Sequence, residues 1–455
     1  MALTDYVIMP SADYTAACDK VRERTGKTDP IKSGDLAAEI EAIPSGGGGE
    51  TENVLDLMAD GRLGGDIVLE TATKIREMFA YDCKGVTSVR APNATKILNN
   101  AFYIFNTGGS LKSVYAPKCT YVGEYAFAYQ MKLTDLTLGT VGNSVSKGAF
   151  QYCPLPDISF AKHCTSLGND CFAGCAATSA EFNNATTIGS YALSNSRELR
   201  TFSAQKITAI SSNCFSYCSK LETVSAPLVQ TVGSYAFSMC TALKQIVLPV
   251  GRVLSVCAFE KCTSLELVDL QNTVASAFSV DSSAFTNCSS LKALILRNNN
   301  AYNYSLKAVS AFTGTPIASG TGFIYVPRGR IDSYKTATNW STYSAQFRAL
   351  EDYTVDGTNT GALDYAKMGL DVPTYTVTHN APNCTFVNVP ETINYGGKIE
   401  GLIEANAGYN FDTIKVTMGG VDITDTAILL QNNEAQFGIP SVTGDVVITI
   451  TTVEA

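Results

Sequence analysis

Cysteine and histidine are where metal or redox chemistry would show first in this chain. Among 455 residues there are 14 cysteines but only two histidines, His163 and His379. Two distant histidines argue against zinc catalysis and against a Ser/His/Asp triad. Cys171/Cys175 and Cys214/Cys218 give a Cys-x-x-x-Cys spacing, which is not a strong zinc signature without a histidine to join it. For glycoside hydrolysis a carboxylate pair is needed, and none stands out. Asp412, Asp422, Asp425 and Asp445 offer oxygen ligands for calcium, but they lack EF-hand spacing and read as a solvated acidic surface. No metal, cofactor or catalytic role is therefore expected of this sequence.

Register explains the cysteines better than chemistry does. An aromatic anchor recurs at Phe79, Phe102, Phe127, Phe150, Phe172, Phe215, Phe237, Phe259, Phe285 and Phe312, with Leu193 filling the one gap. The mean period is about 23 residues, inside the 20–29 window of leucine-rich repeats. Cys153, Cys175, Cys218, Cys240, Cys262 and Cys288 each lie three residues after an anchor, and Cys83 lies four after. Cys171, Cys214 and Cys257 make a partial second column. Buried, reduced thiols used as small apolar fillers are the expected reading. After each anchor comes Leu-x-x-(Val/Ile/Leu)-x-(Ala/Leu), an extended segment whose apolar residues point inward. One repeat cannot bury its own edge, so eleven copies must stack as a solenoid of parallel strands.

The unit running from Val232-Gly233 through Pro249 closely resembles the BspA-type, or treponemal, leucine-rich repeat. That family's pattern is Ile-Gly-x-x-Ala-Phe-x-x-Cys-x-x-Leu-x-x-Val/Ile-x-Leu-Pro. Here the resemblance spans about residues 67–327, with some repeats lacking the cysteine or the phenylalanine. It implies a solenoid fold and binding to proteins or cell surfaces rather than catalysis.

The residues flanking the middle apolar position of each strand should face outward on the concave side. They are Ser88/Arg90, Ser113/Tyr115, Asp135/Thr137, Asp157/Ser159, Ser179/Glu181, Thr201/Ser203 and Thr223/Ser225, then Gln245/Val247, Leu267/Asp269, Ala293/Ile295 and Phe323/Tyr325. The first seven pairs are polar and the last four turn apolar. Arg90, Tyr115, Asp135, Asp157, Glu181, Thr201, Thr223 and Gln245 are the candidate ligand-binding residues. Val247, Leu267, Ile295, Phe323 and Tyr325 form a candidate apolar interface: intrachain cover, a subunit contact or a ligand strip. Ile331, Tyr334, Trp340 and Phe347, within 328–350, read as a C-terminal cap over the open core.

The repeats, at 53–327, are flanked by other segments. Residues 1–44 hold two short amphipathic helices, N-capped by Ser11 and Ser33, too short to be stable alone. The run from Cys18 to Ile43 resembles a small module of phage and prophage tail-associated proteins, implying attachment to a particle or oligomerisation, with a trimer among the options. A glycine string at 45–52 reads as a linker. Residues 351–373 read as a second linker. From 374 to 455, alternating apolar positions and regular turns predict about seven strands. That segment resembles small immunoglobulin-like sandwich modules of bacterial and phage surface proteins. The overall expectation is an α/β to mainly β chain.

Charge sharpens this division. The net −9 splits into −3 for residues 1–49, +5 for 50–350 and −11 for 351–455. No basic face suggests nucleic-acid binding. No apolar stretch is long enough to span a bilayer, and the first residues lack a signal-peptide pattern, so synthesis in the cytosol is expected. The leading functional expectation is a non-enzymatic receptor-binding protein on a phage tail, recognising a bacterial surface protein or glycan and joined to other tail proteins through residues 1–44. The alternative is a bacterial cell-surface adhesin that binds host proteins.

Overall fold

A computed structural model describes residues 63–105, 108–271, 278–299, 304–394, 398–418, 421–431, 434–439 and 445–454. The helices and glycine string expected within 1–52 lie outside the described residues. Each repeat closes one coil, counted here by its anchor from Phe79 (coil one) to Phe312 (coil eleven). A coil contributes a two-residue strand before the anchor, such as Thr231–Val232, and a longer strand after it, such as Gln245–Leu248. Both kinds pair in parallel with the neighbouring coils. The short strands require only that one residue point inward, so a Thr-Val or Lys-Ile dipeptide suffices.

The longer strands build the concave face. Gly64–Val68, Gly85–Arg90, Ser113–Ala116 and Asp135–Leu138 form one sheet; Ser179–Glu181, Thr201–Ser203 and Thr223–Ser225 form a second. The third runs through Gln245–Leu248, Leu267–Leu270, Ala293–Leu296, Phe323–Val326 and Phe347–Ala349. Two features depart from expectation. A concave strand, Gly64–Val68, precedes coil one. Coil four has no concave strand at all. Its Pro156 occupies the place where Thr134 of coil three donates N–H to the Lys112 carbonyl at 3.1 Å, and proline has no N–H to give. Asp157 instead accepts from the Ser159 N–H (2.8 Å) and hydroxyl (2.9 Å), and Ser159–Ala161 turns into a 3-10 segment.

The anchors stack as the core's spine. Phe102, Phe127, Phe150 and Phe172 follow one another at 5.4–5.6 Å with interplanar angles of 5–13°. Beyond Leu193 the stack resumes from Phe215 to Phe312, with centroid steps of 5.1–5.6 Å. Phe182 and Phe202 fill the flanks of the leucine gap. In coil one the backbone places Ala80 level with Phe102: Ala80 N–H donates to Ala101 O as Phe102 N–H donates to Ala126 O. Cys83 is therefore three residues after the aligned position, like the other column cysteines.

That column is held by a specific bond. The thiols of Cys153, Cys218, Cys240, Cys262 and Cys288 donate to the anchor carbonyl of the preceding coil at 2.9–3.1 Å. Where the cysteine is missing, Gln130 Nε2 donates to Phe102 O (2.6 Å) and Ser196 Oγ to Phe172 O (3.2 Å). In coils three, four and six to ten the position thus supplies a hydrogen-bond donor rather than thiol reactivity. Burial pushes the thiols of Cys153, Cys218 and Cys240 well up, and those of Cys119 and Cys164 up to about 11, so they stay protonated at neutral pH. Replacing Cys240 with alanine removes one of two donors to the Phe215 carbonyl, which keeps the Cys218 N–H at 3.0 Å, and is expected to cost about 0.5–1.5 kcal/mol. Serine, which already serves at 196, is expected to cost less. Urea unfolding of the two variants checks the order.

The cap lies where the open core requires it. Tyr334, Trp340 and Phe347 are buried, with Ile331 packed beside them. Trp340 sits 6.0 Å from Phe312 and donates Nε1–H to Tyr304 O at 2.6 Å. Phe347–Ala349 then adds a last parallel strand to the concave sheet.

Residues 351–370 are not a linker. Leu350, Leu363, Tyr365, Met368 and Leu370 are buried against Leu267, Ala293, Ile295 and Tyr325, making a strap across the concave face of coils nine to eleven. Beyond it, two sheets of five and four strands share one apolar core containing Val377, Ile403, Val416, Phe437 and Ile448. The first strand of this unit, Thr374–Asn380, runs parallel to the last, Val446–Glu454. A two-sheet unit satisfies the alternating pattern; the immunoglobulin assignment stays an expectation.

Candidate functional site: the concave face

Side chains alternate across a strand, so the inward Val, Ile and Leu of each coil fix which residues face out. The pairings align the outward residues in two columns. Ser88, Ser113 and Asp135 are in register, as are Arg90, Tyr115 and Thr137. Ser179, Thr201 and Thr223 align in the second sheet, with Glu181, Ser203 and Ser225 beside them. Gln245, Leu267, Ala293 and Phe323 continue the first column, and Val247, Asp269, Ile295 and Tyr325 the second. Asp157 is the exception: coil four leaves the sheet, so Asp157 caps a turn instead of standing in a column.

At one end of this face charges are already matched. Arg90 Nε meets Glu70 at 3.1 Å, and its guanidinium lies 4.8 Å above the Tyr115 ring. Asp66 stands one strand earlier and accepts from Thr87 Oγ1 (2.8 Å) and Ser88 Oγ (2.6 Å). Those two hydroxyls hold its carboxyl below the usual carboxylate range, the Ser88 bond contributing most. Sequence reading missed Asp66 and Glu70 because it began the array one strand late. Asp135, Glu181 and Thr201 are exposed. Arg90 is offset by Glu70, and among the described residues Asp66, Asp135 and Glu181 stand among rows of hydroxyls without an ion pair.

The far end is closed by the chain itself. Gln245, expected to bind ligand, instead accepts from the Tyr365 hydroxyl (3.1 Å) and donates to the Tyr375 hydroxyl (3.0 Å). Leu267, Ile295 and Tyr325 are buried under the strap, and Phe323 packs against it. Of the candidate interface residues Val247 keeps the most surface, 37%. Asp269 and Arg297 fasten the cover. Arg297 is 3% exposed, forms a bidentate pair with Asp269, and donates to the carbonyls of Asn359 (3.0 Å) and Gly361 (2.9 Å) in the strap. Nothing in sequence marks these two as partners, because they lie 28 residues apart in adjacent coils.

Chemically the open face offers hydroxyls, carboxylates and one aromatic ring, in fixed rows. Among the described residues no group of three His, Cys, Asp or Glu side chains comes together to hold a metal. Thirteen cysteines are described; all are free, and twelve are buried. In the C-terminal unit Asp445 accepts from Thr376 and Asp412 from Thr451, so both carboxylates serve strand contacts. No helix among the described residues is long and apolar enough to cross a membrane.

Solved structures similar to this chain include a leucine rich cell surface protein from Faecalibacterium prausnitzii A2-165, 21% identical over 62% of this chain and 90% of that one, with a TM-score of 0.33. The pneumococcal vaccine antigen PcpA is 15% identical over 64% and 88%, also with a TM-score of 0.33. A leucine rich repeat protein of T. pallidum is 19% identical over 40% and 78%, with a TM-score of 0.28. No curated protein matches the chain. The model of the BspA type leucine rich repeat region matches residues 66–176, 143–266 and 208–319, together more than half of the chain. With its anchor spine, donor column and two-strand coils, this chain belongs to the BspA-type leucine-rich repeat family.

Proposed function

We propose that this chain is a non-enzymatic adhesion protein of a bacterial cell surface, binding a host protein through the concave face of coils one to seven. One observation carries the reading: the chain buries its apolar concave strip beneath its own strap, while among the described residues no segment covers the polar rows. A surface kept open beside one so thoroughly closed is the natural contact face, and its ordered backbone keeps the entropic cost of binding low. Family membership supports binding over catalysis. The phage-tail reading rests on residues 10–43, outside the described residues, and the comparisons lend it no support.

The test is a binding isotherm of the labelled full chain on host cells. The double variant Asp135→Arg, Glu181→Arg is expected to bind at least about tenfold more weakly, since reversing two face charges opposes whatever the face complements. Saturable binding left unchanged by the double variant would refute the site. Binding abolished by protease treatment of the host cells identifies a protein partner, and binding that survives it overturns that part of the reading.

A further inference from the structure

Outside the concave face, the most ordered surface feature is a row of tyrosines on the anchor turns. Tyr81 and Tyr103, in coils one and two, stack at 5.3 Å with 18° between their planes. Tyr129 and Tyr152, in coils three and four, stack at 5.2 Å and 29°. Tyr103 meets Tyr129 edge-on at 6.1 Å, so the four rings form one continuous chain. All four are half-buried, with part of each ring reaching solvent. The backbone sets part of this arrangement. The residues two before and two after the aligned anchor position adopt positive φ, as at Tyr125 (54°), Tyr129 (65°) and Tyr152 (56°), which turns their side chains outward, whereas Tyr81 and Tyr103 directly follow the aligned position. Gly148 holds one such place (φ 59°), where a Cβ would come within 2.2 Å of the Tyr125 ring.

Such a row does not suit sugar stacking, because the paired rings cover each other's faces. It suits chemistry between the rings. We propose that Tyr81–Tyr103 and Tyr129–Tyr152 are sites of intrachain dityrosine formation, stapling coil one to coil two and coil three to coil four. A one-electron oxidant of the peroxidase–hydrogen peroxide class removes an electron and a proton from each phenol. The two phenoxyl radicals couple through a ring carbon ortho to each oxygen. The two ring hydrogens at the new C–C bond then move to the oxygens and restore both phenols. In total two electrons and two protons leave the pair, reducing one hydrogen peroxide to two waters.

Three features favour this outcome over competing oxidation. Twelve of the thirteen described cysteines are buried and Trp340 is enclosed, so the oxidant meets the tyrosines first. The edge-on contact lets a radical formed on any of the four rings reach a stacked pair. Burial, then the neighbouring tyrosines, raises the phenols of Tyr103 and Tyr129, so each must shed its proton on oxidation. Solenoids fray from their ends, and both staples lie in the first four coils.

The experiment treats dilute full-length chain with peroxidase and hydrogen peroxide. Dityrosine fluorescence is expected in the monomer fraction, with cross-linked peptides joining 81 to 103 and 129 to 152. The apparent unfolding midpoint is expected to rise by about 5 °C, as loop-closing cross-links do. Tyr103→Phe with Tyr129→Phe keeps both rings and the fold, and is expected to abolish the intrachain signal. Tyr217→Phe, a lone exposed ring, is expected to leave it intact. Dityrosine confined to dimers, a signal unchanged in the double variant, or no dityrosine at all would each overturn the assignment.

Discussion

Replacing Arg297 with alanine is expected to destabilise the chain by about 3–5 kcal/mol, the range for removing one partner of a buried ion pair. The loss follows from what the guanidinium does. It neutralises Asp269, 1% exposed in the floor of the concave face, and satisfies two strap carbonyls. Without it a buried carboxylate has lost its cation, and Asn359 and Gly361 lose a donor. The strap should then lift, exposing Leu267, Ile295 and Tyr325. Two readouts separate this from a general loss of stability: new proteolytic cleavage confined to 351–370, and rescue by Asp269→Leu in the Arg297→Leu background, which removes the stranded charge. A variant whose unfolding midpoint and cleavage pattern match the parent would show that the strap is held by its apolar contacts alone.

Phe237→Ala is expected to cost a similar amount, about 3–5 kcal/mol, because it empties a fully buried ring site. Phe237 lies 5.2 Å from Phe215 and 5.1 Å from Phe259, so the cavity interrupts the spine in both directions. In a stack whose units touch only their neighbours, a weak coil uncouples the arrays on either side. Denaturant unfolding should therefore broaden or split into two steps. Tyr217→Ala, at a 47% exposed ring one coil earlier, is the control and should stay within about 0.5 kcal/mol. A single sharp transition in Phe237→Ala would mean that the coils are coupled by something other than the spine.

The solenoid was legible because its period is dictated by physics that sequence displays. Most coils place one aromatic, one small donor and several inward aliphatics, and those positions repeat visibly. Even the facing of Ser88, Ser113 and Asp135 into one column followed from strand alternation. The donor role of the cysteines was less visible: Cys240 reads as an apolar filler until Gln130 and Ser196 are seen making the same bond. Pro156 was a readable signal that went unused, since a proline in a strand pattern marks its interruption. The strap was hidden for a different reason. Leu350, Leu363, Tyr365 and Met368 follow no period, and the intervening Asp-Gly-Thr-Asn-Thr-Gly has the composition of a linker. What makes that segment structural is the surface it meets. The apolar turn of Leu267, Ile295 and Tyr325 announced that some cover was needed, but not that the segment from Leu350 to Leu370 would supply it.

This division of the concave face, closed in coils nine to eleven and open in coils one to seven, is the central claim. It is tested most directly by the affinity of three full-length chains for the same host cells at one salt concentration. They are the parent, Asp135→Arg with Glu181→Arg on the open face, and Lys96→Glu on the short-strand side, where Lys96 is exposed. The account predicts at least a tenfold weaker affinity for the double variant (about 1.4 kcal/mol) and parent-like binding for Lys96→Glu. Equal affinity for all three, or a loss seen only in Lys96→Glu, would contradict it.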